Sequence, residues 1–327
     1  MAAPRTEPGA AWRPTASPDN LRARADILAR IRSFFAKRGV LEVETPAVSR
    51  AAATDPHLAS LTTSAGGQGA YLHTSPEFAM KRLLAAGSGD IYQVCKVFRD
   101  GEQGRWHNPE FTLLEWYRKG FDHHRLMDEV EELFGELLAG FRAAGRAVRM
   151  TYAEAFGELA GLDPHAADVA ACVRCAAAHD LELAAEPADR DEWLDVIGSH
   201  VVYPKLGLDA PVFVYDFPAS QAALARIRPG RPPVAERFEV FLDGVELANG
   251  FHELTDATEQ ARRFARDNAW RAAHGQAVMP EDRHLLAALE AGLPDCAGVA
   301  VGLDRLVMLA VGAEAIDDVL AFPLARA

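Results

Sequence analysis

Residues 97–117 read VFRDGEQGRWHNPEFTLLEWY, and this stretch carries the strongest structural signal in the chain. Two runs rich in apolar and aromatic residues flank a polar loop that contains glycine, a pattern that predicts an antiparallel β-hairpin. Side chains alternate along a strand, so in a strand from Glu110 the residues Phe111, Glu115 and Tyr117 share one face. Glu115 then lies among apolar neighbours, and a buried carboxylate must be protonated or meet a cation. A ligand could bring that cation.

The composition restricts the classes of function. The chain has 327 residues, 49% of them hydrophobic, as in an ordinary globular protein of one large or two smaller domains. Lys and Arg number 34 against 47 Asp and Glu, and the net charge of −13 argues against sequence-independent binding to nucleic acid. Neither an apolar run of about 18 residues nor the apolar core of a signal peptide is present, so no membrane partner and a cytoplasmic location are expected.

The N-terminal third begins with Pro- and Ala-rich sequence. Residues 1–18 are predicted to be a flexible arm, and residues 19–327 a single domain. Ser17 is a suitable N-cap for an amphipathic helix that ends at Gly39 and leads into a strand ending at Pro46. A second helix is expected from Glu77, with its carboxylate at the helix start.

The middle of the chain is mostly helical in pattern. His123 and His124 precede a helical pattern to about residue 142, and we interpret them as a solvated helix start and not as metal ligands. Residues 150–206 are Ala-rich and acidic without a chemical motif, and they are predicted to be a helical insertion.

A second hairpin is predicted around Asp243-Gly244, because Asp-Gly between alternating apolar residues favours a two-residue turn. Such a turn sets Phe241 opposite Glu246 and brings Glu239 near Glu246 on one face. Two like charges held together favour a bound cation, and carboxylates are ligands that Mg²⁺ accepts. We therefore predict a Mg²⁺ site at this pair.

The last informative stretch is GVAVGLDRL, residues 298–306, a strand that passes through glycines into a helix. Gly302 permits close approach of a nucleotide, and Arg305 in the first helical turn suits a phosphate. The chain has neither a P-loop nor a strand–GxGxxG–helix unit, and residues 252–256 lack the second His of a zincin motif.

Three stretches resemble, in this order, motifs 1, 2 and 3 of class II aminoacyl-tRNA synthetases in their lysyl form. They are the helix and strand that end at Pro46, the hairpin of residues 97–117, and residues 298–306. The resemblance implies an α+β fold, an antiparallel sheet flanked by helices, and a homodimer built on motif 1. The first motif begins near residue 20, so no anticodon-binding domain is expected before it. With that expectation the chain resembles the stand-alone paralogues that attach (R)-β-lysine to elongation factor P. Ala300 agrees with those paralogues, since tRNA-charging lysyl enzymes have Gly there.

The resemblance also implies roles for individual residues. Catalysis is assigned to Arg99 on the α-phosphate, Arg305 on the γ-phosphate, and Glu246. The residues implied in ATP binding are Arg99, Asp100, Gly101, Glu102, His107, Asn108, Phe111, Glu246, Leu247, Gly302 and Arg305. Mg²⁺ is assigned to Glu239 and Glu246. The residues implied in binding (R)-β-lysine or lysine are Ser75, Pro76, Glu77, Glu115, Tyr117, Asn249, Glu253 and Ala300. In the family pattern an acidic residue stands at the position of Gly101, and its side chain contacts ATP. Gly101 departs from that pattern because it has no side chain to make this contact.

Three alternatives remain open at this stage. The chain could be a free-standing core that charges tRNA, although its charge and the missing domain oppose this and no tRNA partner is expected. It could be an amide-forming relative such as class II asparagine synthetase, although two acidic residues at the distal end suit an ammonium group. It could also be an inactive regulatory paralogue, although the Arg and Mg²⁺-binding residues are retained.

Overall fold

The computed structural model describes residues 12–143 and 145–327, and its fold is the predicted α+β class. The helices are α1 (Pro18–Lys37), α2 (Glu77–Ala85), α3 (His123–Leu138), α4 (Tyr152–Ala160), α5 (Val169–Ala178), α6 (Arg190–Ile197), α7 (Ala257–Ala273), α8 (Arg283–Gly292) and α9 (Leu303–Ala310). The strands are β1 (Leu41–Glu42), β2 (Val48–Ser49), β3 (Thr62–Ala65), β4 (Gln68–Leu72), β5 (Ile91–Phe98), β6 (Glu110–Lys119), β7 (Val148–Thr151), β8 (Val212–Pro218), β9 (Ile227–Arg228), β10 (Val234–Leu242), β11 (Val245–His252) and β12 (Cys296–Gly302).

One large sheet organises the described chain. Its strand order is β1-β5-β6-β12-β11-β10-β8-β7, with β9 paired to β10. The central pairings are antiparallel, and the outer pairs β1–β5 and β7–β8 are parallel. A small sheet of β2, β4 and β3 lies apart from it. The last strand of the sequence, β12, therefore lies at the centre of the large sheet.

The motif 2 hairpin forms as predicted. β5 and β6 pair from Phe98 opposite Glu110 to Ile91 opposite Tyr117. Leu114 and Trp116 are buried against the helices on one face of the sheet. Glu115 is on the other face and only 2% exposed. The alternation along β6 thus separates the core from the cavity described below.

The second hairpin also has the predicted turn, since Phe241 lies opposite Glu246 and Leu242 opposite Val245. A register shift follows between Val240 and Phe241, so that Glu239 pairs with Asn249. The sequence pattern did not predict this bulge, which inserts one extra residue in one strand.

The two faces of the sheet differ in what covers them. Helices α1, α3 and α9 pack on one face, which we call the back face, and build the largest core cluster with side chains such as Phe34, Leu133 and Leu306. Residues from α2, α7 and the small sheet surround a cavity on the opposite, front face. No helix in the described ranges has the length and apolar character needed to cross a membrane.

The N-terminal arm and the helical insertion are the two segments that bear on the predicted domain limits. Residues 1–11 of the predicted arm lie outside the described residues, while Thr15 and Ala16 donate backbone hydrogen bonds to Ala321 and Leu320 at 3.0 and 3.1 Å. The segment predicted as a helical insertion contains α4, α5 and α6, which pack in a second core cluster against β8. The domain limits themselves stay a prediction.

The interpretation of His123 as a solvated residue is wrong. Asp122 is the N-cap of α3, and its side chain accepts a hydrogen bond from the Arg125 backbone N–H. His123 therefore occupies the first helical position and is turned toward the sheet, where it is only 2% exposed. The signal was available, because the apolar stripe of Leu126, Met127 and Val130 continues back by one turn to His123.

Candidate active site

A cavity of about 780 Å³ opens on the front face of the sheet. It contains the residues predicted for substrate binding together with one predicted phosphate ligand: Ser75, Pro76, Glu77, Arg99, Glu115, Tyr117, Asn249, Glu253 and Ala300. They come from the start of α2 and the loop before it, from β6, β11 and β12, and from the positions just after β5 and β11, and the sheet brings them together. Polar groups that converge in one concave site are the usual mark of a ligand pocket.

Glu115 lies at the base of this cavity. Its Oε2 accepts a hydrogen bond from Ser75 Oγ and its Oε1 one from Tyr117 OH, both at 2.7 Å. Burial raises the pKa of Glu115 to about 7, and the neighbouring Glu77 adds to the rise. Both partners are hydroxyl groups and neither is a cation. A cationic ligand group would therefore stabilise the ionised form of Glu115.

Lys81 is a site residue that the sequence analysis missed. Its Nζ lies 2.6 Å from Glu77 Oε1 and 2.6 Å from Glu253 Oε2, and it is almost fully buried. Burial opposes its charge, but Glu253 and Glu77 raise the pKa of Lys81 above its usual value, so it stays an ammonium group. Burial raises the pKa of Glu253 to about 8 despite this neighbour. The available signal was the spacing, since Lys81 is four residues after Glu77 on one helix face.

The central strand β12 forms the floor of the cavity. Ala300 pairs with Glu115 of β6 on one side and with Asn249 of β11 on the other. Its methyl group thus lies between two of the predicted substrate contacts. At Gly298 a Cβ would come within 2.3 Å of the Tyr117 ring and 2.7 Å of Glu253 Oε1, so only glycine leaves room for both side chains.

Arg99 stands where motif 2 requires it, at the end of β5. Its guanidinium carbon lies 5.0 Å from the centre of the Phe111 ring. Its Nε donates to Thr74 O at 3.4 Å, and its NH1 is 3.5 Å from Glu102 Oε1. Gly101 has φ +77° and the Asp100 carboxylate accepts from its N–H, so Glu102 is the acidic side chain next to Arg99.

Arg305 meets the motif 2 loop from the other side. Its NH1 donates to Glu246 O at 2.9 Å and its Nε to Trp106 O at 3.2 Å. Its NH2 lies 2.6 Å from His107 Nε2. Burial and the charge of Arg305 lower the pKa of His107, which therefore offers a neutral ring to this cation. A Cβ at Gly302 would lie 3.7 Å from Arg305 Cδ and 3.8 Å from Leu247 O.

Glu239 and Glu246 are near enough for the charge of Glu246 to raise the pKa of Glu239, and the Mg²⁺ site stays a prediction. Burial raises the pKa of Glu239 to about 8, an effect that Arg237 opposes and Glu246 increases. Arg237, which the sequence analysis did not single out, forms an ion pair with Glu239 and donates to Asn249 Oδ1 at 3.3 Å. Across the described chain the Glu246 carboxylate has no hydrogen-bond or ion-pair partner. The two carboxylates therefore suit a divalent cation, which would remove the repulsion between them.

Two residues of the predicted ATP set have other contacts. Asn108 donates through its amide to Glu110 O at 2.6 Å and accepts at Oδ1 from the Leu324 N–H at 3.1 Å, so both ends of its amide bind the protein. Leu247 is 2% exposed and its side chain belongs to the back-face core. A direct contact of Asn108 or Leu247 with a nucleotide would therefore be made by the backbone of that residue.

Comparison with known proteins agrees with this geometry. Residues 9–326 match the family described as tRNA synthetases class II (D, K and N). The chain is 55% identical over 323 residues to the elongation factor P–(R)-β-lysine ligase of Vibrio cholerae, a match that covers 97% of this chain and 98% of that protein. It is 53% identical over 325 residues to the ligase of the same name from Yersinia enterocolitica, covering 97% and 99%.

Proposed function

Because the chain belongs to the class II tRNA synthetase family of the D, K and N group, we propose that it is an ATP-dependent ligase for elongation factor P. It activates (R)-β-lysine, or lysine, as an adenylate with release of pyrophosphate. It then transfers the acyl group to a lysine side chain of elongation factor P. ATP and a translation factor meet in the cytoplasm, and we propose that location.

The charge balance of the cavity is the observation that carries this proposal. Glu77, Glu115 and Glu253 provide three carboxylates, and Lys81 provides one ammonium group between two of them. When all four are ionised, this cluster of side chains keeps two negative charges. Lysine and β-lysine each bring two ammonium groups that match these two charges, while their carboxylate would lie toward Asn249 and Arg99, outside the cluster. A buried site that lacks its matching charge is strongly disfavoured, and this selects against uncharged side chains.

The activation step needs positioning and charge neutralisation more than proton transfer. A carboxylate oxygen of the amino acid forms a bond to the α-phosphorus of ATP, and the bond to the pyrophosphate oxygen breaks. Asn249 would orient the carboxylate, and Arg99 would stabilise the charge that develops on the α-phosphate. Arg305 would bind the γ-phosphate at the other end, with Phe111 stacked on the adenine.

Mg²⁺ would be held by Glu239 and Glu246, whose mutual repulsion fits a shared cation. When bound, it neutralises phosphate charge. Arg237 holds Glu239 from the side of Asn249 and so links the cation site to the site for the amino-acid carboxylate.

The transfer step forms an amide bond. The uncharged amine of the acceptor lysine attacks the carbonyl carbon of the adenylate, AMP leaves, and the amine nitrogen loses one proton. The protein's net charge of −13 suits an acceptor that presents a basic surface, and it opposes binding of a bare phosphate backbone.

ATP–pyrophosphate exchange with L-lysine and with (R)-β-lysine tests the activation step directly. Mass spectrometry of elongation factor P and of tRNA after incubation with each amino acid and ATP tests the acceptor. We expect exchange with (R)-β-lysine and a mass gain of one β-lysyl group on one lysine of elongation factor P. Exchange without any protein modification, together with charged tRNA, would favour the free-standing tRNA-charging alternative. Absence of exchange with both amino acids would contradict the proposal.

A further inference from the structure

Four potential metal ligands meet on the back face of the sheet, behind the active site. His123 at the start of α3, Glu236 of β10 and His252 of β11 each offer a ligand atom, and these atoms lie within 4.8 Å of one another. Asp216 of β8 joins them, with Oδ1 3.7 Å from His123 Nε2. Side chains alternate along β10 and β11, so Arg237 and Glu253 face the cavity while Glu236 and His252 face away from it.

Two of these ligands have buried polar atoms that lack a hydrogen-bond partner in the described residues. His123 is 2% exposed, and neither of its ring nitrogens has a hydrogen-bond partner in the described part of the protein. Asp216 Oδ1 is also buried without a hydrogen-bond partner. Buried polar atoms are nearly always satisfied, because an unsatisfied one costs about 1–3 kcal/mol. A ligand between them would satisfy both.

The other ligands are held in place by groups around them. Arg228 pairs with Asp216 Oδ2 and lies 3.7 Å from Glu236 Oε1, so the second oxygen of each carboxylate stays directed inward. His252 Nε2 lies 3.0 Å from Asp295 Oδ1, which leaves Nδ1 directed at Glu236 Oε2, 2.6 Å away. A carboxylate on the far nitrogen of a histidine is the usual support of a metal-bound imidazole.

The backbone of Asp216 is shaped for this arrangement. Phe213 and Tyr215 pack toward the back-face core, so a regular strand would turn Asp216 to the front face. Asp216 instead has φ +59°, and the pairing of β8 with β10 shifts register between Ala235 and Phe238. Left-handed conformations and bulges in strands often direct side chains at functional sites. Here they direct the carboxylate to His123.

We propose that His123, Asp216, Glu236 and His252 bind a divalent transition-metal ion of the Zn²⁺ class. Two imidazole nitrogens and two carboxylate oxygens match the preferences of such an ion, with bonds of about 2.0–2.2 Å. Ligand atoms around a tetrahedral Zn²⁺ are then about 3.4 Å apart. In the structure the atoms of His123, Glu236 and His252 lie within 4.8 Å of one another, and Asp216 Oδ1 lies 3.7 Å from His123 Nε2. The ion joins α3 to β8, β10 and β11, and so supports the strands that carry Arg237, Asn249 and Glu253 on their front face.

The first test is metal binding by the full chain. The protein is freed of metal with a chelator and titrated with Zn²⁺ in excess Mg²⁺, which fills sites made only of oxygen ligands. We expect one Zn²⁺ per chain and a melting temperature that rises by a few degrees on binding. X-ray absorption at the zinc edge should show nitrogen and oxygen neighbours near 2.0–2.1 Å and no sulfur shell near 2.3 Å.

Variants then assign the ion to this cluster. His252→Gln should weaken Zn²⁺ binding at least about 100-fold, and Asp295→Asn, which weakens the support of His252 and the ion pair with Arg226 but removes no ligand, about 10-fold. The control His284→Gln changes an exposed histidine of α8 and should leave the affinity unchanged. Each variant is compared with and without Zn²⁺, so a general loss of stability is separated from a loss of binding. A wild-type chain that binds no stoichiometric Zn²⁺, an unchanged affinity in His252→Gln, or a sulfur shell would each overturn the proposal.

Discussion

At the scale of single residues, Arg99 brings a cation to the edge of the cavity beside Phe111. Arg99→Ala should lower ATP–pyrophosphate exchange by 100-fold or more, since a charge-assisted phosphate contact is worth on the order of 3 kcal/mol in the transition state. Arg105→Ala is the matched control, because Arg105 is in the same loop and donates to Glu314 O on the surface. Exchange within a few-fold of wild type in Arg99→Ala would contradict the assignment.

Glu115 predicts a pH dependence of amino-acid binding. Its pKa of about 7 in the empty site means that it is largely protonated below pH 7, whereas an ammonium ligand favours the ionised form. Binding therefore releases a proton, and the affinity should fall as the pH drops through 7, by at most about tenfold per pH unit. Calorimetry at several pH values and in buffers of different ionisation enthalpy measures both effects.

Ser75→Ala supplies the control for this titration. The hydrogen bond from Ser75 lowers the pKa of Glu115, so its loss should move the midpoint to higher pH. A dissociation constant that stays flat between about pH 5.5 and 8.5 would rule out coupling to Glu115.

Ala300 is expected to influence the choice between lysine isomers. A β-amino acid carries its nearer amine one carbon farther from the carboxylate, so the methyl group of Ala300 should press on an α-amine more than on a β-amine. Ala300→Gly should shift the ratio of kcat/KM toward L-lysine by about 10-fold or more, within the 1–3 kcal/mol that one methylene-sized change delivers. An unchanged ratio would remove Ala300 as a determinant.

Nine of the residues predicted for the site line the cavity, but the sequence did not predict their charge partners. Glu115 was found because alternation places it on a defined face of a strongly patterned strand. Lys81 was missed because its role depends on Glu253, which comes from a distant part of the chain. Arg237 was missed because its role depends on Asn249 of the neighbouring strand, whose register the bulge sets. Pairings of this kind exist only once the sheet has formed.

At the scale of secondary-structure elements, Asp304 joins three of them. It is 1% exposed, accepts from the Thr112 N–H of β6 at 2.7 Å, and pairs with Arg24 of α1. Asp304→Ala should lower the free energy of unfolding by about 3 kcal/mol, because it leaves a buried N–H and a largely buried guanidinium without a partner. Denaturant unfolding measures this change.

Arg22→Ala is the matched control on the same helix. Arg22 pairs with Asp19, and both side chains are largely exposed, so its loss should cost less than about 1 kcal/mol. Equal effects of the two substitutions would show that the buried contact of Asp304 does not hold these elements together.

Hairpin registers were predictable where a turn determines them, as at Asp243-Gly244, because that dipeptide favours one geometry. The bulges near Val240 and at Glu236 were not predictable, and they decide the neighbours of Glu239 and Asp216. Packing across several strands sets such irregularities, and no local pattern encodes them.

At the scale of the whole molecule, the dimer implied by motif 1 remains a prediction. Leu41 of β1 is 55% exposed at one edge of the large sheet, and unpaired edge strands favour association. Leu41→Asp should convert a dimer into monomers and lower activity, as measured by light scattering at micromolar concentration. Val148→Asp is the control, because Val148 is 52% exposed on β7 at the opposite edge. A wild-type monomer with full activity would contradict the dimer.

The central place of β12 has a consequence for biosynthesis. During synthesis β6 and β11 are made before β12, which begins at Cys296. Until β12 is made, β6 and β11 each have one edge without a neighbouring strand. The backbone N–H groups of Thr15 and Ala16 likewise have to find their partners, Ala321 and Leu320, which are made much later. The large sheet is therefore complete only once β12 has been made, and a chain truncated before Cys296 exposes two unpaired edges that favour aggregation.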